Sequence, residues 1–132
     1  MFSRKKEPPI KSLIAQGAHL RGDLSFTHGL RIDGEVIGDV RASAEPSVLV
    51  VSESGRIQGA VHAAHVIVSG VVDGPVHASE LLEAQPKARI TGDVRYKALE
   101  MHQGAIISGQ MQPESALLLE ANPTLKLTSN PA

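Results

Sequence analysis

The chain has 132 residues, of which 42% are hydrophobic and 20% are charged, a composition that fits a single soluble folded domain. It contains no Cys, which excludes disulfides, thiolate metal sites and a Cys nucleophile, and its formal net charge of −1 offers no broad basic face for nucleic acid. With only three aromatic residues and no Trp, the core has to be built from aliphatic side chains.

The N-terminal segment, residues 1–15, is predicted to be a flexible basic tail. Residues 1–11 contain four Lys or Arg and one Glu, a balance of +3, whereas residues 12–113 contain eight Lys or Arg and eleven Asp or Glu, a balance of −3. The charged start is not followed by the apolar stretch of a secretory signal, and no apolar run approaches the roughly 20 residues that span a bilayer. We therefore expect a basic tail in front of a mildly acidic body.

A short unit recurs from residue 20 onwards: aliphatic, any residue, Gly, any residue, aliphatic. One such unit per longer cycle is centred on Gly22, Gly38, Gly59, Gly74, Gly92 and Gly109. The intervals between these glycines are 16, 21, 15, 18 and 17 residues, with a mean of 17.4. Self-similarity at a fixed period of this length predicts a solenoid in which each cycle forms one coil.

The repeat predicts an all-β, single-domain, triangular β-helix of about six coils over residues 16–113. Aliphatic residues two or four apart point to the same face of an extended chain, and Gly permits positive-φ corners that β-branched residues resist. Coils stacked at about 4.8 Å bury columns of aliphatic side chains. A β-sandwich is the structural alternative, but it needs longer strands and hairpin turns, and the Asp-Gly pairs at residues 33–34 and 73–74 lie inside the repeat.

Two segments depart from the regular cycle. Residues 44–47, AEPS, lie in the 21-residue interval and are interpreted as a short loop insertion. Residues 79–84, SELLEA, look helical locally, but they are in phase with the repeat and are therefore predicted to be strand.

The residue that follows each unit is polar, which predicts an outward-facing ladder on one face of the rod. Its members are Ser25, Arg41, His62, His77, Arg95 and Gln112. His62 and His77 should lie close together on adjacent coils, but His65 would lie past a corner and no Asp or Glu at an obvious ligand spacing joins them. We interpret these residues as exposed ladder histidines and predict no metal site.

The sequence of residues 30–40, LRIDGEVIGDV, is far more specific than a lone Gly-x-x-x-Gly pattern, and it resembles the bactofilins, a family of bacterial polymer-forming cytoskeletal proteins. The resemblance covers about residues 17–113, and the start, MFSRKK, is similar to the short membrane-targeting start of many members. It implies a right-handed triangular β-helix without catalytic activity, cofactor or nucleotide.

The same resemblance implies a function. Copies of the chain would assemble end to end into non-polar filaments in the cytoplasm, at the inner face of the cytoplasmic membrane. The implied partners are further copies of the chain, the anionic membrane surface, and cell-wall synthesis or remodelling proteins whose positioning influences cell shape.

The two open ends of the rod are the predicted polymerisation interface, because solenoids that stay monomeric carry polar caps and no capping helix is evident. The residues concerned are Leu20, Leu24 and Phe26 in the first coil and Ile106, Ile107 and Met111 in the last. Alternatively, these are ordinary core residues covered by folded-back tails.

Membrane binding is predicted for the first six residues, Met1, Phe2, Ser3, Arg4, Lys5 and Lys6. Attraction to an anionic leaflet amounts to about 1 kcal/mol per basic residue, so one copy binds weakly while a filament repeats the contact many times. A solvated, unattached start is the alternative.

The main functional alternative is a trimeric left-handed β-helix enzyme of the hexapeptide type, such as an acyltransferase or a zinc carbonic anhydrase. Those enzymes need a strict six-residue aliphatic repeat, whereas this chain has glycine-centred five-residue units. Neither a phosphate-binding loop nor a Gly-x-Ser-x-Gly elbow occurs. Asp33, Glu35, Asp39 and Asp93 are interpreted as solvated edges that limit sideways aggregation, so no catalytic or cofactor-binding residue is predicted.

The C-terminal segment, residues 114–132, is predicted to be a flexible tail. It holds five Leu residues interrupted by Pro123. Two interpretations stay open: a short partner-binding motif, or a segment that packs on the last coil.

Overall fold

A computed structural model describes residues 9–114, and their regular structure is a succession of β-strands. In chain order the strands are β1 (Ile10–Ile14), β2 (His19–Arg21), β3 (Leu24–Ile32), β4 (Glu35–Ile37), β5 (Val40–Val51), β6 (Arg56–Gln58), β7 (Val61–Val68), β8 (Val71–Asp73), β9 (Val76–Ala84), β10 (Arg89–Thr91), β11 (Val94–Met101), β12 (Ile106–Ser108) and β13 (Met111–Pro113). The outer parts of both predicted tails, residues 1–8 and 115–132, lie outside the described residues.

The strands form two parallel sheets. The odd-numbered strands pair in the order β1-β3-β5-β7-β9-β11-β13, and the even-numbered strands pair in the order β12-β10-β8-β6-β4-β2. Each short even-numbered strand leads directly into the next odd-numbered strand, so the two together make one coil. Five complete coils and a partial sixth coil, made of β12 and β13, stack behind the half coil formed by β1, which confirms the predicted β-solenoid of about six coils.

The long strands are interrupted near their middle by a shift of register. Between β7 and β9 the shift falls between Ala63 and His65, and between β9 and β11 it falls between Tyr96 and Ala98. Such a bulge bends the strand. A complete coil therefore has three straight segments, two from the long strand and one from the short strand, as expected of a triangular coil.

Columns of aliphatic side chains fill the inside of the stack. One column consists of Leu20, Val36, Ile57, Val72, Ile90 and Ile107. A second consists of Leu24, Val40, Val61, Val76, Val94 and Met111. The inner members of both columns are at most 2% exposed, and full burial of one such side chain stabilises the fold by about 1.5–3 kcal/mol. This repetition explains why the core does not need large aromatic rings.

The glycine column brings the backbones of neighbouring coils into close contact at one corner. Gly59 has φ +153°, a conformation that L-residues with a side chain rarely adopt. A Cβ atom at this position would also collide with the carbonyl oxygen of Gly38 in the preceding coil. Both the backbone angle and the close approach therefore require glycine here, which is the physical origin of the repeat.

An Asp that follows a corner glycine adds a second link between coils. Asp39 Oδ1 accepts the backbone N–H of Ala60 at 2.9 Å, and Asp93 Oδ1 accepts the backbone N–H of Gln110 at 3.0 Å. The equivalent residue in the coil after Ala60 is Pro75. Pro75 has no backbone N–H, so it cannot donate a hydrogen bond of this kind. Asp39 and Asp93, interpreted from the sequence as solvated edges, thus also fix the stacking of the coils.

The irregular segments and the N-terminal boundary can be compared directly with the expectations. Residues 79–84 lie within β9, which confirms the prediction of strand over helix. The insertion at residues 44–47 appears as a register shift inside β5, between Arg41 and Val48. Residues 10–14 differ from the expected flexible tail: they form β1, in which Ile14 pairs with Ile32 and its carbonyl oxygen accepts the N–H of Asp33 at 2.7 Å.

Candidate assembly surfaces and side-chain ladders

The N-terminal end of the rod has a step. β1 pairs with residues 29–32, the second half of β3, whereas residues 24–26 pair only with β5. Within residues 9–114, no strand lies on the outer side of residues 24–26. An open cleft of about 360 Å³ lies there, lined by both β1 and the first half of β3. Among the described residues, the backbone edge of half a coil therefore has no pairing strand at this end.

The C-terminal end has the complementary step. β13 pairs with residues 94–96, the first half of β11, whereas residues 98–101 pair only with β9 among the described strands. Met101 and Met111 are 45% and 38% exposed at this end. At the N-terminal end, β1 therefore covers the second half of the outermost long strand. At the C-terminal end, β13 covers the first half.

Five of the six residues predicted for the polymerisation interface stand at the ends of the apolar interior. Leu20 and Ile107 are the two ends of one aliphatic column, and Leu24 and Met111 are the two ends of another. Phe26 belongs to the terminal coil too, but it is only 7% exposed.

The sixth residue, Ile106, has a different position. Ile106 pairs with Arg89, next to the pair of Ile107 with Ile90, and its side chain is on the opposite face of the strand from Ile107. It is 48% exposed. It therefore faces the side of the rod rather than its apolar cross-section. Sequence reasoning missed this because neighbouring residues in a strand point to opposite faces, and the phase of that alternation follows from the register.

The predicted membrane-binding residues, Met1 to Lys6, lie outside the described residues. Across residues 9–114 there is no helical stretch with the length and hydropathy of a transmembrane span.

The outward ladder occurs as predicted from the spacing. Ser25 pairs with Arg41, Arg41 with His62, and His62 with His77. His77 pairs in turn with Arg95, and Arg95 with Gln112 on the last coil. Four adjacent coils therefore present an Arg or His side chain at the same place, beside a cleft of about 260 Å³.

The two ladder histidines lie in direct contact. The ring centroids of His62 and His77 are 4.6 Å apart with an interplanar angle of 77°, an edge-to-face arrangement. His62 Nδ1 is buried and has no hydrogen-bond partner in the described part of the chain. Burial, followed by the nearby charges of His77 and Arg41, lowers the pKa of His62 below its usual value. The neutral form of the ring is therefore favoured over the charged form.

One carboxylate joins the C-terminal limit of the described chain to this ladder. Glu114 Oε2 accepts a hydrogen bond from His77 Nε2 at 2.9 Å and lies 3.7 Å from a guanidinium nitrogen of Arg95. The residue at which the predicted C-terminal tail begins is thereby tied to the side of the rod.

A second group of titratable side chains was not found by sequence reasoning. Glu83, Glu100 and His102 bring their ligand atoms within 4.8 Å of one another. Glu83 also contacts His65, with 2.8 Å between His65 Nε2 and Glu83 Oε1. The signal was present in the sequence as Glu83 and Glu100 at the same phase of successive cycles, but the register of β9 against β11 was needed to reveal it.

Across residues 9–114, the architecture is a rod with stepped ends and with apolar columns that reach both of them. The bactofilin family model, whose description is "Polymer-forming cytoskeletal", matches residues 12–112. The chain belongs to the bactofilin family. The matched residues include nearly the whole described part of this bactofilin, from β1 to β13.

Two proteins of Myxococcus xanthus (strain DK1622) are similar to this bactofilin. Bactofilin BacP is 32% identical over 100 residues, which cover 76% of this chain and 40% of BacP. Bactofilin BacO is 24% identical over 110 residues, which cover 83% of this chain and 85% of BacO. The matched residues therefore cover about two fifths of BacP. No solved structure matches it significantly.

Proposed function

We propose that this bactofilin is a non-enzymatic scaffold that assembles end to end into filaments without nucleotide. The observation that carries the proposal is the pair of stepped ends, at which half a coil of backbone lacks a pairing strand among the described residues. Unpaired strand edges are templates for pairing with another chain. A second copy supplies strands of the same length and spacing, so it is the occupant that fits best.

The shape of each step supports a two-fold joint. Two copies would meet through their N-terminal ends, related by a two-fold axis perpendicular to the rod. Their β3 strands then run in opposite directions, so the β1 strand of one copy would lie over residues 24–26 of the other. The same operation at the C-terminal end would place β13 of one copy over residues 98–101 of the other. Such isologous joints use one surface twice. Alternating them along the rod gives a filament without polarity.

Membrane attachment is the next part of the proposal. The residues from Met1 to Lys6 contain one aromatic side chain and three basic ones, which suits the anionic inner face of the cytoplasmic membrane. Weak attachment of each copy would become firm through the many copies of a filament. A filament held there would position cell-wall synthesis or remodelling proteins and so influence cell shape.

Negative-stain electron microscopy of the purified, untagged full chain, in buffer without nucleotide or metal, tests this function. We expect long thin filaments, and image averages with two-fold axes perpendicular to the filament. A small discrete oligomer would contradict the proposal, and a trimer in particular would favour the hexapeptide-type enzyme. Filaments whose subunits all point the same way would contradict the two-fold joint alone.

A further inference from the structure

Two carboxylates are stacked on one side of the rod. Glu83 in β9 and Glu100 in β11 are direct partners in the register of the long sheet. Adjacent strands of a sheet lie about 4.8 Å apart, and like charges directly opposite one another repel. The stacking of the coils therefore holds two negative charges together at a place where a cation would relieve the repulsion.

Imidazole nitrogens complete the group. His102 lies two residues after Glu100, and its Nε2 donates to Glu100 Oε2 at 3.0 Å. On the neighbouring coil, His65 Nε2 donates to Glu83 Oε1 at 2.8 Å, and Gln85 Nε2 donates to Glu83 Oε2 at 3.1 Å. Glu83 is thus oriented from both sides, while Glu100 and His102 lie together beside it.

We propose that Glu83, Glu100 and His102 bind a divalent transition-metal ion of the Zn²⁺ class, with His65 and Gln85 orienting Glu83. The ligand atoms of the three residues lie within 4.8 Å of one another. Bonds of about 2.1 Å to a tetrahedral ion need ligand atoms about 3.4 Å apart. The side chains of Glu100 and His102 are 54% and 41% exposed. They are therefore free to move from the observed separation to the separation that the ion needs.

The donor set selects the kind of metal. The imidazole nitrogen of His102 suits Zn²⁺ and related transition-metal ions, which also accept carboxylate oxygens, whereas Mg²⁺ and Ca²⁺ take oxygen ligands. The hydrogen bond from His65 to Glu83 is the outer contact that commonly orients a metal ligand. Three protein ligands leave a fourth position for water, and the bound ion would join β9 to β11 near the C-terminal end of the rod.

The experiment uses the full chain, stripped of metal with EDTA and dialysed against ZnCl₂, with bound zinc counted by elemental analysis. We expect about one Zn²⁺ per wild-type chain, and a loss of binding by at least tenfold in Glu100→Gln and in His102→Ala. His65→Ala, which removes an orienting contact of Glu83, should weaken binding about 10- to 100-fold. MgCl₂ in place of ZnCl₂ should give no binding at this site.

The matched control is His19→Ala. His19 Nδ1 contacts Glu35 Oε1 at 2.9 Å, so it forms the same kind of pair, but it is not part of a three-ligand group among the described residues. We expect this variant to bind as much Zn²⁺ as the wild type. Equal loss in His19→Ala and His102→Ala, or no Zn²⁺ bound by the wild type above the Glu100→Gln background, overturns the proposal.

Thermal unfolding gives a second measurement, on a variant of the third proposed ligand. An ion that binds the folded chain raises Tm by mass action, so Zn²⁺ should raise the wild-type Tm and leave that of Glu83→Gln unchanged. An equal rise in both overturns the site. Because zinc is counted per chain in any assembly state, these results are independent of whether filaments form.

Discussion

The rings of His62 and His77 stand edge to face on adjacent coils, with their centroids 4.6 Å apart. Burial lowers the pKa of His62 from its ordinary value of 6.5, and the charges of His77 and Arg41 lower it further, against the opposing effect of Glu45 and Glu114. Well above pH 6.5 the neutral ring predominates in both the folded and the unfolded chain. As the pH falls below 6.5, the unfolded chain takes up the proton first.

The free energy of unfolding should therefore decrease as the pH is lowered from about 7.5 to about 5. His62→Gln removes the titrating group and should reduce this dependence. Urea unfolding at several pH values measures this pH dependence. His19→Gln is the control for the loss of one imidazole, because the His19 ring is 69% exposed. An unchanged pH dependence in His62→Gln would show that the His62 ring titrates alike in both states.

The corner glycines allow a test of why the repeat needs glycine. Gly22 and Gly59 both have positive φ, +124° and +153°. A Cβ on Gly22 meets no atom within 4 Å, whereas a Cβ on Gly59 collides with the carbonyl of Gly38. Gly22→Ala should destabilise the fold only by its backbone strain, about 1–3 kcal/mol, and Gly59→Ala should exceed that range because two coils must also separate.

Chemical denaturation of the two glycine variants under identical conditions measures this difference. Equal losses of stability would mean that the backbone angle alone accounts for the glycines. A larger loss in Gly59→Ala would establish that the close approach of the coils matters as well.

The stepped ends predict which substitutions stop polymerisation. Leu20→Arg and Met111→Arg place a charge at the end of an apolar column, where a joined copy would bury it at a high free-energy cost. Both residues are half-buried or exposed in the single chain, so a long Arg side chain can reach water there. We expect folded short species instead of filaments, measured by sedimentation and electron microscopy.

Ile37→Arg is the matched control for these end variants. Ile37 is also a partly buried aliphatic residue, but it lies on the side of the second coil between Arg21 and Gln58. Its filaments should be as long as those of the wild type. Unaltered filaments in both end variants would show that the joints lie elsewhere.

The N-terminal segment predicts a separation of attachment from assembly. Deletion of residues 2–6 removes Phe2 and three basic residues, so it should release filaments from anionic vesicles while polymerisation continues. Vesicle flotation measures attachment, and vesicles of neutral lipid give the background. Added salt should weaken wild-type binding, because it screens exposed charges. Continued flotation of the deletion variant with anionic vesicles would disprove the role of this segment.

Much of the fold could be predicted because the repeat is itself a consequence of stacking. The spacing from Gly22 to Gly109 gave the number of coils, and the polar residue after each unit gave the ladder through His62 and His77. β1 was missed because a half coil contains no glycine unit. The position of Ile106 was missed because its side of the strand depends on the register.

The sequence by itself determined the length of the coil, the aliphatic interior and the residues of the outward ladder, since each depends only on spacing along one strand. The tertiary structure alone decided which residues meet across coils. Glu83 and Glu100 are 17 positions apart and His65 is further away, and the bulges shift the register between neighbouring strands. The same applies to the steps at the two ends, because they depend on where β1 and β13 pair along the long strands.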